Sequence, residues 1–279
     1  MENKNDFLKV KSKKNFLRTY LGTDKWMYYW FIIGLCSCIN NSKNSSENNP
    51  NSNESKIIKP IQINKNTNCL EAKIGNQIWM AYNIDAERFN NGDIIPIVKS
   101  IEEWKKAGLN KKPAMCYYNN DVENKTKFGI IYNWYALNDK RGIAPKGWRV
   151  ATLKDWEILT SYLGESNIAG KKLKSQNGWP DCIDVSSIKG TYPNTTSEIK
   201  SGNGTDDFLF NALPSPGRGY HDFDSTETAY HWVEWWTSTE NKANKETAYM
   251  FGVNCYGNAL VDKTTWKEFG LYVRCIKCP

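Results

Sequence analysis

"APKGWRVATLKDWEIL", residues 144–159, packs two tryptophans, an arginine and two acidic residues into sixteen positions. That density suggests a catalytic centre, but each conspicuous residue already has a structural role. Pro145 and Gly147 make a turn, and Trp148-Arg149-Val150 is short and extended. Thr152 followed three residues later by Asp155 is a capping-box-like helix start, with the acidic group placed favourably at the helix N-terminus. Trp156, Leu159 and Leu163 then fall at i, i+3 and i+7, a single apolar stripe, and Gly164 ends the helix. The stretch therefore predicts turn, strand, capped amphipathic helix and stop. Trp148 and Trp156 are expected in the core, and Glu157 is expected to satisfy backbone or a neighbouring strand rather than to perform acid–base work.

Working outward, "KIGNQIWMAYNI" (73–84) reads as a hairpin turning at Gly75-Asn76. "IEEWKKAGL" (101–109) has helical spacing through Ile101, Trp104 and Leu109. "FGIIYNWYAL" (128–137) is too rich in aromatic and β-branched residues for a loop. Residues 186–207 read as a polar excursion, and "FLFNALPSPGRGY" (208–220) as a short strand running into Pro/Gly turns. "YHWVEWWTSTE" (230–240) predicts an aromatic strand, 247–261 a hairpin about Gly257-Asn258, and 269–278 a closing strand. No internal repeat is visible. Together these elements predict one α+β domain of short twisted β-sheets with flanking helices and long loops.

Composition agrees with that reading. Aromatic residues make up 13% of the 279-residue chain, with 12 Trp and 15 Tyr, while the mean hydropathy is only −0.65. This balance suits short aromatic strands better than a helical bundle. The net charge of +7 is concentrated at the N-terminus, where residues 1–37 hold seven of the 37 basic and three of the 30 acidic side chains. The remainder is near balance, so no nucleic-acid footprint is expected.

The N-terminus reads as an address. A basic stretch ending at Lys25 precedes "WMYYWFIIGLCSC", which is shorter than the ~20 residues a spanning helix needs and has the order of a secretory signal. Its close, Leu35-Cys36-Ser37-Cys38, resembles a bacterial lipobox, and by that resemblance Cys38 is the lipidated first residue of the mature protein. The Asn/Ser-rich residues after it have almost nothing to bury and read as a flexible spacer. The expected organisation is a signal peptide over 1–37, a tether over 38–68 and a folded domain over 69–279. That organisation predicts an outer-membrane lipoprotein, with its face of the membrane left open.

Eight collinear blocks carry a family resemblance: "IGNQIWMAYN" (74–83), "CYYNND" (116–121), "FGIIYNWYAL" (128–137), "APKGWRVATLKDWEIL" (144–159), "AGKKLKS" (169–175), "FNALPSPGRG" (210–219), "WWTSTE" (235–240) and "YVRCIK" (272–277). In this order they resemble the Fibrobacter succinogenes major paralogous domain, common in secreted and lipid-anchored proteins of Bacteroidetes and Fibrobacteres. The resemblance implies a C-type-lectin-like fold, shared with formylglycine-generating enzymes, whose N- and C-terminal strands lie close together. Such a fold does not carry function with it. The chain departs from the family pattern at Ala144, where relatives usually carry Cys, at Ala151, where they carry Pro, and at Arg149, where His is usual. The disulfide implied for that Cys is therefore absent, and Cys275 needs another partner or stays a thiol.

Six cysteines follow Cys38, namely Cys69, Cys116, Cys182, Cys255, Cys275 and Cys278, and in an oxidising compartment an even set suggests disulfides. Cys255 with Cys275, on the closing strands, is the expected pair. Cys275 and Cys278 have CxxC spacing but no helix to lower a thiol pKa, which weakens a redox or metal reading. His221 and His231 lack the spaced partners of a zinc site and read as surface or strand-edge residues. Calcium is a candidate cofactor through Asn203, Asp206 and Asp207 in "GNGTDD"; Asx-rich turns are the plainer reading. Trp232, Glu234 and Trp236 share one strand face and, with Arg218, make a candidate glycan platform, against the plainer reading that most tryptophans are core. The expectation is a non-catalytic binding or structural domain whose partners are the membrane and a glycan or envelope protein. A protein-interaction scaffold and a formylglycine-generating-type thiol oxidase are the alternatives.

Overall fold

A computed structural model describes residues 63–64, 69–189, 196–219, 222–223 and 227–279. In chain order the elements begin with β1 (Ile63–Asn64), β2 (Cys69–Ile74), β3 (Gln77–Met80), α1 (Ile101–Leu109) and β4 (Met115–Cys116). The middle of the chain supplies α2 (Asn124–Phe128), β5 (Ile131–Tyr132), α3 (Trp134–Leu137), β6 (Trp148–Val150), α4 (Leu153–Tyr162) and α5 (Ser166–Leu173). The second half is almost all strand: β7 (Asp181–Ile183), β8 (Ile199–Ser201), β9 (Arg218–Gly219), β10 (Asp222–Phe223), β11 (Trp232–Glu240), β12 (Thr247–Asn254), β13 (Val261–Trp266), β14 (Tyr272–Val273) and β15 (Cys275–Lys277).

These strands form a five-stranded sheet in the order β1-β2-β3-β15-β6, a four-stranded sheet in the order β13-β12-β11-β14, and three two-stranded ladders. The α+β class and the small sheets expected from the sequence are present. β1 falls within residues 38–68, so pairing begins inside the stretch read as a spacer. The last strand is inserted between early ones, Ile276 standing opposite both Trp79 and Arg149. Among the strand pairs of the described residues, β11 and β14 alone run parallel, at Trp235–Tyr272 and Trp236–Val273. Among the described residues no helix is long and apolar enough to cross a membrane.

The opening stretch folds as its pattern predicts. Thr152 accepts from the Asp155 backbone N–H, while the Asp155 carboxylate accepts from the Thr152 N–H, a closed capping box. Trp156, Leu159 and Leu163 are fully buried. Trp156 stacks on Phe251 at 5.1 Å and on Trp235 at 5.4 Å and packs against Trp79 at 4.8 Å, so α4 joins the two larger sheets through aromatic contact. Two expectations need correcting. Glu157 is half exposed and pairs only with Lys154, because it lies on the solvent face. Residues 208–217 contain no continuous strand: Asp206, Leu209 and Asn211 take positive φ, which breaks any extended run, and before β9 at Arg218 the segment makes isolated bridges at Ala212 and Ser215.

Candidate functional site

The β2–β3 hairpin leads into Tyr82, Asn83 and Asp85, and these residues form one wall of a cleft of about 480 Å3. Lys125, Thr126, Lys127, Phe128 and Gly129 line it from α2 and the turn after it, and Asn211, Leu213, Ser215 and Arg274 line it from the C-terminal half. Gly129 has φ +83, and a Cβ there would meet Asn83 at 2.8 Å, so only glycine lets the turn after α2 close against that wall.

The floor is saturated with hydrogen bonds. Asn83 donates to the Phe128 carbonyl at 2.7 Å, and its oxygen accepts from the Trp235 indole at 2.7 Å and from Arg274 Nε at 2.8 Å. Arg274, 2% exposed, also donates to the carbonyls of Met80 and Phe210 at 2.8 Å and to that of Asn211 at 3.3 Å. Its guanidinium lies 4.4 Å from the Phe210 ring centre. Burial pushes its pKa down to about 9, with nearby Asp206 opposing the shift. It stays charged at neutral pH, a cation under the cleft held by neutral carbonyls. The rim is exposed: Asp85, Thr126, Lys127 and Asn211 face solvent, and Tyr82 is half-buried. Lys125 reaches back to Glu87 at 2.8 Å. Such a cleft can hold a hydroxyl-rich molecule between polar groups of both signs.

The structure does not assemble the candidate glycan platform. Trp236 is fully buried and donates its indole N–H to the Tyr132 carbonyl at 2.9 Å. Both faces of β11 are covered there: Trp235 meets Trp156 and Phe210 on one side, and Trp236 joins the cluster of Tyr132, Met250 and Val273 on the other. Trp232 and Glu234 remain half exposed, and Glu234 pairs with Lys263 at 3.1 Å. Arg218 is buried as well. It donates to the carbonyls of Val98 and Lys99 and to Asp222, all at 2.7 Å, and so pins β9 to the segment before α1.

Two of the three proposed calcium ligands hold the loop itself. Asn203 accepts from the Trp179 N–H at 3.0 Å and Asp206 from the Asn211 N–H at 2.8 Å, while Asp207 is exposed. Burial raises the Asp206 pKa, opposed by the bond from the Asn211 N–H.

The expected Cys255–Cys275 disulfide is replaced by Cys182–Cys255. Cys255 follows β12 directly, while Cys275 lies in the other large sheet. The β7–β8 hairpin meets Cys255 so closely that a Cβ at Gly202 would lie 2.6 Å from the Cys255 Cβ. Cys116 and Cys275 are buried thiols and Cys278 an exposed one. Burial pushes the Cys116 pKa up to about 12, although Arg218 draws it down. Cys275 lies in the same cluster against which Ala144 packs, where the family pattern has a cysteine. At the third departure, Arg149 grips Asp155 through two bonds of 2.5 and 2.8 Å. Cys38, His221 and the Cys69 side chain lie outside the described residues. His231 is not a simple surface residue: one of its ring nitrogens lies within 4.8 Å of the sulfurs of both Cys182 and Cys255. Sequence spacing hid that grouping because the three residues come from three separate elements.

A family model described as the Fibrobacter succinogenes major domain matches residues 72–277. No curated protein and no solved structure matches the chain.

Proposed function

The chain belongs to the Fibrobacter succinogenes major domain family, and from that footing we propose that it is a lipid-anchored, non-catalytic binding module of the bacterial cell envelope, C-type-lectin-like in fold, whose cleft takes a glycan. The observation that carries this reading is the cleft itself. Its volume of about 480 Å3 falls within the roughly 300–1,000 Å3 of small-molecule sites. Its floor is preorganised by the Asn83–Arg274–Trp235 network, and its rim offers Tyr82 as an apolar face beside Asp85, Lys127 and Asn211 as hydrogen-bonding groups. A rigid floor lowers the ordering cost of binding. The high Cys116 pKa speaks against that one thiol as a nucleophile, because the thiolate is the reactive form.

A second reading places the sugar on the half-exposed Trp232 beside the Glu234–Lys263 pair. Glycan-array screening followed by calorimetry separates the two. Cleft binding predicts that Tyr82→Ala or Lys127→Ala weakens the best ligand about tenfold or more, each tenfold being about 1.4 kcal/mol, while Trp232→Ala leaves it unchanged. The opposite pattern moves the site to β11. A folded protein that binds no glycan leaves a scaffold role. Lipid anchoring is tested separately by metabolic labelling with a fatty acid, expected to be lost in Cys38→Ala.

A further inference from the structure

Independently of the cleft, we infer that Cys182, Cys255 and His231 form a redox-gated binding site for a thiolate-preferring metal ion of the Zn2+ class, closed while the disulfide is intact and open when it is reduced. The register brings the residues together. Trp232 stands opposite Asn254 in the β11–β12 ladder, so His231, one residue before β11, faces Cys255, one residue after β12. The Cys255 N–H donates to the His231 carbonyl at 2.9 Å. Cys182 arrives from β7, and the ligand atoms of all three residues lie within 4.8 Å of one another.

Both cysteines are at most 5% exposed, and their Cα atoms stand 5.7 Å apart. After reduction their sulfurs need only separate by side-chain rotation to reach the ~2.3 Å Zn–S and ~2.0 Å Zn–N bonds of a zinc site. Two neighbours favour the metal-bound state. Tyr256 Oη lies 2.6 Å from His231 Nδ1, the kind of outer contact that orients a ligating imidazole. The Lys174 ammonium is held by the carbonyls of Asn254 and Gly257, on either side of Cys255 in the chain, and a cation close to a cysteine favours its thiolate.

The chemistry balances with a dithiol as reductant. Exchange transfers two electrons and two protons to the Cys182–Cys255 bond and leaves the reductant as a disulfide. The metal then binds both sulfurs and releases two protons. Disulfide and metal are thus alternative clamps that tie the β7–β8 hairpin to the end of β12.

The test uses the full chain, reduced with a phosphine under argon and titrated with Co2+ as an optical probe. One Co2+ per reduced chain is expected, with thiolate-to-metal charge-transfer bands that Zn2+ abolishes, and no uptake by the oxidised chain. His231→Ala should weaken Co2+ at least tenfold, matching or exceeding the roughly 10–100-fold losses seen for outer contacts, and the double variant Cys182→Ser/Cys255→Ser should lose it. Equal uptake by oxidised and reduced protein overturns the inference. So does uptake retained in the double variant, which keeps the other six cysteines of the chain. Circular dichroism guards against unfolding: a reduced chain that loses its fold and does not regain it with Zn2+ also overturns the inference.

Discussion

Lys174 is 1% exposed, and its ammonium donates to the carbonyls of Asn254 at 3.0 Å and Gly257 at 2.9 Å. Burial, reinforced by Lys171, brings its pKa from an ordinary 10.5 down to about 8. The folded protein therefore releases this proton near pH 8, while the unfolded chain holds it to about 10.5. Across that window the unfolded state binds more protons, so stability rises with pH. Between pH 7 and pH 10 the wild type should gain about 2 kcal/mol relative to Lys174→Met, measured by urea unfolding at both pH values. Parallel stabilities would show that Lys174 is not desolvated. In the sequence this lysine is one of several in "AGKKLKS" and looks solvated, because charge is legible in a sequence and burial is not. The same limit applies at Trp236: the period of two showed which residues share a face of β11, but not that both faces are covered. Asp155 was legible because a capping box is local, whereas its grip on Arg149 depends on β6 lying beside α4.

At the scale of elements, Gly170 decides how α5 docks. A Cβ there would lie 2.3 Å from the Ala259 carbonyl oxygen and 2.9 Å from that of Asn258, and the next residue, Lys171, donates its N–H to Asn258 O at 3.1 Å. Two effects oppose each other in Gly170→Ala. Helix propensity favours alanine by about 1 kcal/mol, whereas overpacking typically costs about 1–3 kcal/mol, and here the obstacle is rigid backbone. The variant should be less stable by up to about 2 kcal/mol net of those two terms, read from the urea midpoint, and a gain in stability would refute backbone-on-backbone docking. Helices and hairpins with local signals were legible: the 101–109 helix, the Gly75-Asn76 turn and the β12–β13 hairpin all formed. In residues 208–217 the apolar content imitates a strand signal. The positive φ values at Leu209 and Asn211 instead turn the chain so that Phe210 packs against Trp79, Trp156 and Trp235. That preference is set by tertiary packing, which local patterns do not record.

For the whole folded unit, closure rests on three residues near the C-terminus. β15 is the strand through which β3 and β6 are joined, pairing Ile276 with Trp79 on one side and Cys275, Ile276 and Lys277 with Val150, Arg149 and Trp148 on the other. The sequence announced a closing strand, and the family resemblance implied that the chain ends would meet. Where β15 inserts was not legible, because a strand's neighbours depend on every other strand. Its loss should be disproportionate to its length. Ending the chain after Arg274 removes Cys275 and Ile276, which are buried, together with the Lys277–Glu71 ion pair at 3.0 Å. It also strips the pairing edges of β3 and β6 at once and exposes the apolar surface between them. Burial of two such side chains is worth roughly 1.5–3 kcal/mol each. With the ladder bonds lost as well, the total approaches the roughly 5–15 kcal/mol that holds a domain folded. The truncated protein should show no cooperative thermal unfolding and should bind a hydrophobic dye at room temperature, whereas removal of Cys278 and Pro279 alone should leave the transition within a few degrees of wild type. A cooperative transition in the shorter chain would mean that β2, β3 and β6 are held by α4 and the aromatic core without β15, and that the sheet is a consequence of the core and not its frame.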